Sequence, residues 1–360
     1  MKKKLLCNLS LALALSMTML TGCAKPSESL SKALNNSTNI SACQTSTSMT
    51  FKIDGNEQAK MMNLSEFGFT AKSKVLSEKN KKAATASDIS IKYGGMSIDT
   101  SLFMESLFEN NKMNTKMIVS IPPIFLDMLN GIGQGNVPSI NANAQYFVVD
   151  SKELEKSMGT EISTEESKKA AEQLQGLSKS LEKALDKYVT TVGKENVMKE
   201  GKKEISYNGS KVKATVYEIK ITDKQFKSFV RGYINNIEND KDLQKFVEAF
   251  TSKQEKQVNF KEMVSEFNTE FDKLPQIIGD KGLNISIAVK DDYVIQETIE
   301  SEILLSNLNT DNASTASSGK LSFKYTADIF NINGKDIKVE LPKVNSANSI
   351  NLADLLKNQK

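Results

Sequence analysis

The chain has 360 residues, of which 39% are hydrophobic and 25% are charged, so it can bury a substantial core as one large or two medium domains. It contains no His, which excludes Ser-His-Asp and Cys-His catalysis and removes the commonest zinc ligand. Arg231 is its only Arg. The chain has 47 basic and 44 acidic residues, but Lys2, Lys3 and Lys4 are the only charged residues before Cys23. The remainder is therefore neutral overall, and its charge gives no support to nucleic-acid binding.

The first 22 residues have the pattern of a secretory signal peptide, with a basic start, an apolar run and small residues at the end. The apolar run is too short for a membrane-spanning helix, which needs about 20 residues. The segment Leu20–Cys23 resembles the bacterial lipobox, in which the Cys thiol receives a lipid and becomes the new N-terminus. The sequence therefore predicts a signal peptide at 1–22, acylation (palmitate or a similar chain) at Cys23, and a tether at 23–28. The expected location is the extracytoplasmic face of the cell membrane.

The three cysteines do not predict a disulfide. Cys7 would leave with the signal peptide and Cys23 would carry lipid, so Cys43 would stand alone. Cys43 falls on the apolar side of a predicted strand, and we expect it to be a buried, inert thiol.

Strand patterning begins after a short predicted helix at Ser29–Asn35. From Cys43 to Ile53, apolar and polar residues alternate with period two, which indicates a strand with one buried face. The same alternation predicts strands at 67–75 and 89–93.

The dipeptide Gly94-Gly95 is typical of a tight two-residue hairpin turn. In that register Tyr93 faces Met96 and Ile91 faces Ile98, so both apolar sets fall on the same face of the sheet. Further strands are predicted at 96–102, 113–121 and 145–149.

Two long segments have helical rather than strand spacing. Apolar residues recur every three or four positions from Ala170 to Val192, and again from Thr222 to Leu274. Thr222-Asp223 can cap the second block, and Pro275 ends it. The aromatic residues at helical spacing in that block are Phe226, Phe229, Tyr233, Phe246, Phe250, Phe260, Phe267 and Phe271.

The remaining patterns again predict strands. A hairpin is expected around Asn208-Gly209, and Asp291-Asp292 should join two further strands. In the second of these, Ile295, Ile299 and Ile303 are assigned to one face. Glu297, Glu300 and Glu302 are assigned near polar positions. The predicted strands are 204–207, 212–221, 283–289, 295–305, 321–329 and a short one at 337–341.

The count is about eleven substantial strands, joined mostly in hairpins, with two helical insertions. Because most strands have a single apolar face, something must cover it, and the amphipathic helices are the expected cover. The predicted fold class is α+β, a large curved antiparallel sheet that forms an unclosed half-barrel with helices packed on its concave face. We expect one domain over 29–345 and a C-terminal tail at 346–360.

This order of elements resembles the LolA/LolB-like lipoprotein fold, which includes the LppX-type lipoproteins. The resemblance covers roughly 29–341 and rests on layout: the N-terminal helix, the strand containing Thr45–Phe51, then Pro122–Ile124 before the strand Gln145–Asp150. The resemblance implies an eleven-stranded unclosed barrel with helices at its mouth, which binds a lipid or acyl chain. The chain departs from the family in its size and its two long helical blocks, and Arg231 lies inside a helix, so no binding-site Arg is carried over.

The aromatic residues of the second helical block allow two interpretations. They could line a ligand cavity, or they could pack as core under the sheet, which is the ordinary role of an aromatic stripe. The expected function is a non-catalytic, membrane-anchored lipoprotein that binds a hydrophobic, lipid-like ligand. The alternative is a structural or adaptor lipoprotein that docks another envelope protein. No catalytic residue, metal, cofactor or nucleic-acid partner is expected.

Overall fold

The computed structural model describes residues 28–37, 39–55, 65–78, 81–109, 112–125, 143–158, 199–238, 260–305 and 319–357. Most of these residues form one large, unclosed sheet of twelve strands, which confirms the predicted large sheet. Strands β1 to β11 correspond to the eleven predicted strands, whereas β12 was not predicted. The strands are β1 (Ala42–Asp54), β2 (Glu66–Glu78), β3 (Lys82–Tyr93), β4 (Met96–Glu109), β5 (Lys112–Ser120), β6 (Tyr146–Asp150), β7 (Lys199–Tyr207), β8 (Ser210–Ile221), β9 (Leu283–Lys290), β10 (Tyr293–Leu304), β11 (Lys320–Phe330) and β12 (Ser349–Asn351).

Five helices accompany the sheet in the described residues. The first confirms the predicted N-terminal helix, and the third and fourth belong to the second predicted helical block. The first helical block, Ala170–Val192, lies outside the described residues. The helices are α1 (Glu28–Ser37), α2 (Ser151–Met158), α3 (Asp223–Glu238), α4 (Phe260–Lys273) and α5 (Leu352–Lys357).

The sheet is built from two meanders that meet in its middle. Its strand order is β12-β6-β5-β4-β3-β2-β1-β11-β10-β9-β8-β7. Neighbouring strands are antiparallel except for β12, which pairs in parallel with β6. The central pairing joins β1 to β11, so the N-terminal and C-terminal parts of the chain share one continuous sheet.

The hairpin registers follow the turn residues. Tyr93 pairs with Met96 and Ile91 pairs with Ile98, which confirms the register predicted from Gly94-Gly95. Both glycines have positive φ angles, 55° and 82°, a region that L residues with side chains seldom adopt.

A β-bulge changes the face of one predicted apolar residue. The register of β10 against β9 shifts between Val294 and Gln296. A bulge adds one residue to a strand and so reverses the alternation of side chains beyond it. Val294 and Ile299 therefore point to one face, whereas Ile295 packs with Val216 on the other. The prediction that Ile295 and Ile299 share a face is wrong.

The C-terminal region departs from its predicted pattern. Residues 337–341 form no strand, although Ile337 is buried, so the alternation there reflects burial and not pairing. The chain instead reaches the far edge of the sheet and forms β12. Ile350 in β12 and Ala353 in α5 are buried, and α5 contacts α2 and β6. Part of the segment 346–360, assigned to a tail, thus packs against the sheet.

The main hydrophobic core lies between three helices and one half of the sheet. It contains Leu30 and Ala33 of α1, Phe226 and Phe229 of α3, and Phe271 of α4. The strand residues of this cluster include Tyr217, Ile219, Ile285, Ile287, Ile299 and Phe323, which belong to β8–β11. Burying each large apolar side chain contributes about 1.5–3 kcal/mol, so this half of the sheet holds most of the packing energy of the described residues.

Polar contacts cap the start of α3 and attach it to the segment that follows α4. Thr222 and Gln225 form a reciprocal capping box, in which the Gln225 amide donates to Thr222 Oγ1 and the Thr222 amide donates to Gln225 Oε1. Asp223 Oδ1 accepts the amides of Ile277 and Ile278, each at 2.7 Å. These bonds hold the start of α3 against the segment that follows α4.

Candidate ligand-binding face

One face of the sheet carries most of the large apolar residues of its strands. We call it the apolar face and define it as the side that carries Phe51, Ile299 and Phe323, which lie in the main core. Side chains alternate along a strand, and paired residues on neighbouring strands share a face, so the registers place every strand residue on one side or the other. The opposite face carries most of the Lys, Asp and Glu residues of β1–β5, β10 and β11.

Three of the phenylalanines predicted at the site are buried in the main core. Phe226, Phe229 and Phe271 are each no more than 6% exposed, and the Phe267 ring stacks on Phe271 with its centroid 5.3 Å away. These contacts support core packing for the four residues, and a ligand contact for them stays a prediction. Phe246 and Phe250 lie outside the described residues, as do the side chains of Tyr233 and Phe260.

The apolar face continues beyond the helices. The described part of the core reaches Met49 and Phe51 of β1 but includes no residue of β2–β6. The Phe51 ring nevertheless lies 6.0 Å from that of Phe67 on β2, so the apolar surface is continuous. Further along the face, Tyr93 is 39% exposed and Met96 is 53% exposed. The partly buried apolar residues on this half include Phe67, Phe69, Ile89, Ile91, Ile98, Leu102, Met117 and Val119.

A single carboxylate interrupts the apolar face. In the ten strands β1–β6 and β8–β11, the registers place one acidic residue on this face, Glu297. The basic residues on this face in these strands are Lys211 and Lys213, which are exposed and lie at the end of β8 next to the turn from β7. Glu297 pairs with Ile287 of β9 and with Ala327 of β11, both of which are buried. The assignment of Glu297 near polar strand positions is therefore wrong. The period-two spacing from Ile299 was the signal in the sequence that could have placed it correctly.

Burial shifts the acidity of Glu297 and of a neighbouring tyrosine. Desolvation raises the pKa of the Glu297 carboxyl above its ordinary value, because the ionised form loses water without gaining a cation. The pKa of Tyr325 is raised by burial and also by the charge of Glu297. Tyr325 pairs with Ile299, two residues along β10, so the two polar groups are diagonal neighbours on the same face.

The other carboxylates considered in the sequence do not join Glu297. Glu300 and Glu302 lie on the opposite face, where Glu300 pairs with Lys324 at 2.5 Å and Glu302 pairs with Lys281 at 3.0 Å. The sheet thus separates them from Glu297, and the three do not form a paired acid and base. In the described residues no three His, Cys, Asp or Glu side chains come close enough to hold a metal ion.

Cys43 lies where the sequence predicted, at the buried start of β1. Burial raises the pKa of its thiol, which lowers the fraction of reactive thiolate. The predicted lipidation site, Cys23, lies outside the described residues.

A polar groove of about 370 Å³ opens on the opposite face of β2–β5. Its side chains bond to one another, as when the Ser101 hydroxyl donates to Asp88 at 2.8 Å. Hydroxyl groups and charges on a solvated strand face are ordinary, so this groove does not identify a ligand. The polar residues that line it are Thr70, Lys72, Asp88, Ser90, Asp99, Thr100, Ser101 and Ser120.

A comparison of the chain with protein-family models, curated proteins and solved structures found no match. The resemblance to the LolA/LolB-like fold therefore remains a prediction from the order of elements. None of the helices in the described residues is long and apolar enough to cross a membrane.

Proposed function

We propose that this chain is a membrane-anchored, extracytoplasmic lipoprotein that binds an apolar, lipid-like ligand and catalyses no reaction. The observation that carries the proposal is the continuation of the apolar face past the packed core, onto β2–β4. Exposed Tyr93, Met96 and Met104 lie on that half, at 37% to 53% exposure. A contiguous apolar surface of this kind is typical of a ligand or partner site.

The proposal includes a shape for the molecule. The sheet curves, and α1, α3 and α4 lie on its concave side, as in the LolA/LolB-like fold. In this arrangement the helices fill the space over β8–β11, and the ligand occupies the space over β2–β4. The flexible Met96, Met104 and Met117 side chains suit an adaptable apolar surface.

The energy available from this surface depends on the length of chain that it covers. Each buried CH₂ group contributes about 0.8 kcal/mol, so an acyl chain of about a dozen carbons gains roughly 9–10 kcal/mol before the costs of association. A net binding energy of about 8 kcal/mol corresponds to a micromolar dissociation constant. After association costs of at least about 4 kcal/mol, a fully covered dozen-carbon chain keeps about 5–6 kcal/mol, so micromolar affinity needs a longer covered chain.

The membrane anchor supports the same function, because acylation at Cys23 would hold the binding face next to a source of lipid. Mass spectrometry of the N-terminal peptide from the native host tests this step. We expect a diacylglycerol adduct on Cys23 and retention of the protein in the membrane fraction. The variant Cys23→Ala should appear in the soluble fraction, and membrane retention of that variant would contradict the proposed anchor.

Ligand binding is tested by measuring the mass of any small molecule that co-purifies with the protein, before and after solvent extraction. We expect native mass spectrometry to detect an adduct that organic solvent removes. The variant Phe69→Asp places a charge on the apolar face and should abolish the adduct. Thr70→Asp is the matched control, because the next residue of β2 points to the opposite face. Loss of the adduct in both variants, or its absence from the wild type, would overturn the proposed function.

The sheet edges favour a second candidate function, that of an adaptor for another envelope protein. In the described residues β7 pairs only with β8, so one side of β7 is open to an added strand. Cross-linking in cells distinguishes the two functions. A stoichiometric protein partner linked through Lys199–Tyr207, together with an empty apolar face, would favour the adaptor.

A further inference from the structure

We propose that Glu297, assisted by Tyr325, selects amphiphiles whose headgroup is a cation such as a primary ammonium. This inference rests on the proposed function, because it names the chemical class of the ligand that the apolar face takes. It depends on the placement of one carboxyl group on an apolar surface that spans ten strands.

The first argument concerns charge. An ionised carboxylate that is taken from water without a counterion is strongly destabilising, so buried charges are normally paired. The Glu297 carboxyl has no hydrogen-bond or ion-pair partner among the described residues, and no Lys or Arg shares its face in β1–β6 and β9–β11. Lys211 and Lys213 of β8 share the face, but they lie six and four residues along the strand from Tyr217, the β8 residue in the same row as Glu297. A fatty-acid carboxylate or a phosphate would be repelled there. A cationic headgroup would supply the missing counterion.

The second argument concerns space. On one side of Glu297 the β9 residue is Ile287, which is fully buried. On the other side the same cross-strand row continues through Ala327, Thr47 and Ala71, all of which have small side chains. Room beside the carboxyl therefore lies toward β11, β1 and β2, which is the direction of the exposed part of the apolar face.

The third argument concerns the tail of the ligand. The next row along the strands contains the large apolar residues Met49, Phe69 and Ile91, and the small-residue row beside it ends at Ala71 on β2 and meets Ile89 on β3. At about 4.8 Å per strand, the distance from β10 to β3 is about 19 Å, which accommodates a chain of about a dozen carbons. An amphiphile can thus place its headgroup at Glu297 and its tail across β1–β3.

Tyr325 adds a second group that favours a cation. It is opposite Met49 in the neighbouring row and diagonal to Glu297. Its hydroxyl accepts a hydrogen bond from an ammonium, and an aromatic ring attracts a cation over its face. The ring face disfavours an anionic headgroup, whereas the hydroxyl can also donate to an anion, so the discrimination rests on the ring and on Glu297.

The test compares three amphiphiles that share one alkyl chain: dodecylammonium, dodecanol and dodecanoate. Each amphiphile is used below its micelle concentration to displace a neutral fluorescent probe from a protein that contains residues 23–360. This chain carries Cys23→Ser so that it can be purified from water. We expect dodecylammonium to bind at least about tenfold more tightly than dodecanoate, since 1.4 kcal/mol of charge pairing is a factor of ten.

Two variants distinguish recognition of the headgroup from non-specific binding of the alkyl chain. Glu297→Gln should remove the preference for the ammonium while changing dodecanol affinity by less than about threefold. Glu300→Gln is the control, because it removes a charge from the opposite face of the same strand, and it should retain the preference. If the wild type does not distinguish ammonium from carboxylate, or if Glu297→Gln retains the preference, the inference is overturned and dodecanol binding still upholds the proposed function. If none of the three amphiphiles binds, the inference and the proposed function both fail.

Discussion

Replacing Glu297 by Gln should stabilise the free protein at neutral and alkaline pH. The carboxyl lies on an apolar face between buried Ile287 and Ala327, with its pKa raised by desolvation. Gln has nearly the same shape and carries no charge. Removing an unpaired, desolvated charge should raise the free energy of unfolding by about 1–3 kcal/mol.

The sign of the pH dependence follows from the direction of the pKa shift. A carboxyl whose folded-state pKa is raised contributes stability that is fully present below its unfolded pKa, about 4.5, and that is lost as pH rises through the folded value. The wild type should therefore weaken with rising pH relative to Glu297→Gln. The two proteins should be nearly equal at about pH 4 and furthest apart at about pH 8.

Urea unfolding of the wild type and Glu297→Gln across this pH range measures the effect. Glu300→Gln is the matched control on the same strand, where the carboxylate is about half exposed and paired with Lys324. Loss of a surface ion pair should change stability by less than about 1 kcal/mol and give no gain at alkaline pH. A Glu297→Gln protein that is no more stable than the wild type at about pH 8, or whose advantage is equal at both pH values, would refute the placement of Glu297.

Three further predictions concern the packed half of the molecule. Phe271→Ala should lower the free energy of unfolding in urea by about 3–5 kcal/mol, because it opens a cavity in the main core; a loss below about 1 kcal/mol would contradict that packing. Thr222→Ala should lower it by about 1 kcal/mol through loss of the capping box, with Ser retaining most of the stability. Cys43 should react with iodoacetamide much more slowly in the native protein than in urea, and equal rates would show that its thiol is not buried.

Local patterns in the sequence were sufficient to predict most of the strands. Period-two alternation places Cys43–Ile53 and its neighbours correctly, because each residue's face is fixed by its own backbone. The turn at Gly94-Gly95 predicts the pairing of Tyr93 with Met96, because a two-residue loop leaves a single register. These features depend on contacts between residues that are close in the chain.

The features that the sequence did not predict depend on irregularity or on distant contacts. The bulge between Val294 and Gln296 reverses the alternation in β10, and no nearby residue type marks it. Strand β12 has three residues, which is too short for a periodic pattern. Within the described residues, the helices pack on β8–β11, which stand beside β1 because the sheet order joins β1 to β11.

The same non-local strand order explains why the candidate site lies on β2–β4 and not at the phenylalanines of α3 and α4. The aromatic spacing of α3 and α4 favoured core packing, the ordinary role of such a stripe, and also allowed a cavity wall. Phe226, Phe229 and Phe271 are packed against β8–β11, so the exposed apolar surface lies on strands that the sequence treated only as part of the sheet. Glu297, on β10 in the packed half, is the one acidic residue on that face in β1–β6 and β8–β11.

The central claim is that the apolar face of β2–β4 binds an apolar ligand. Photo-labelling with a long-chain alcohol that carries a diazirine group, followed by peptide mass spectrometry, tests it most directly. We expect labelled residues within Glu66–Glu109, with competition by unlabelled dodecanol and loss of labelling in Phe69→Asp. Labelling confined to Asp223–Lys273, or no labelling that dodecanol displaces, would contradict the claim.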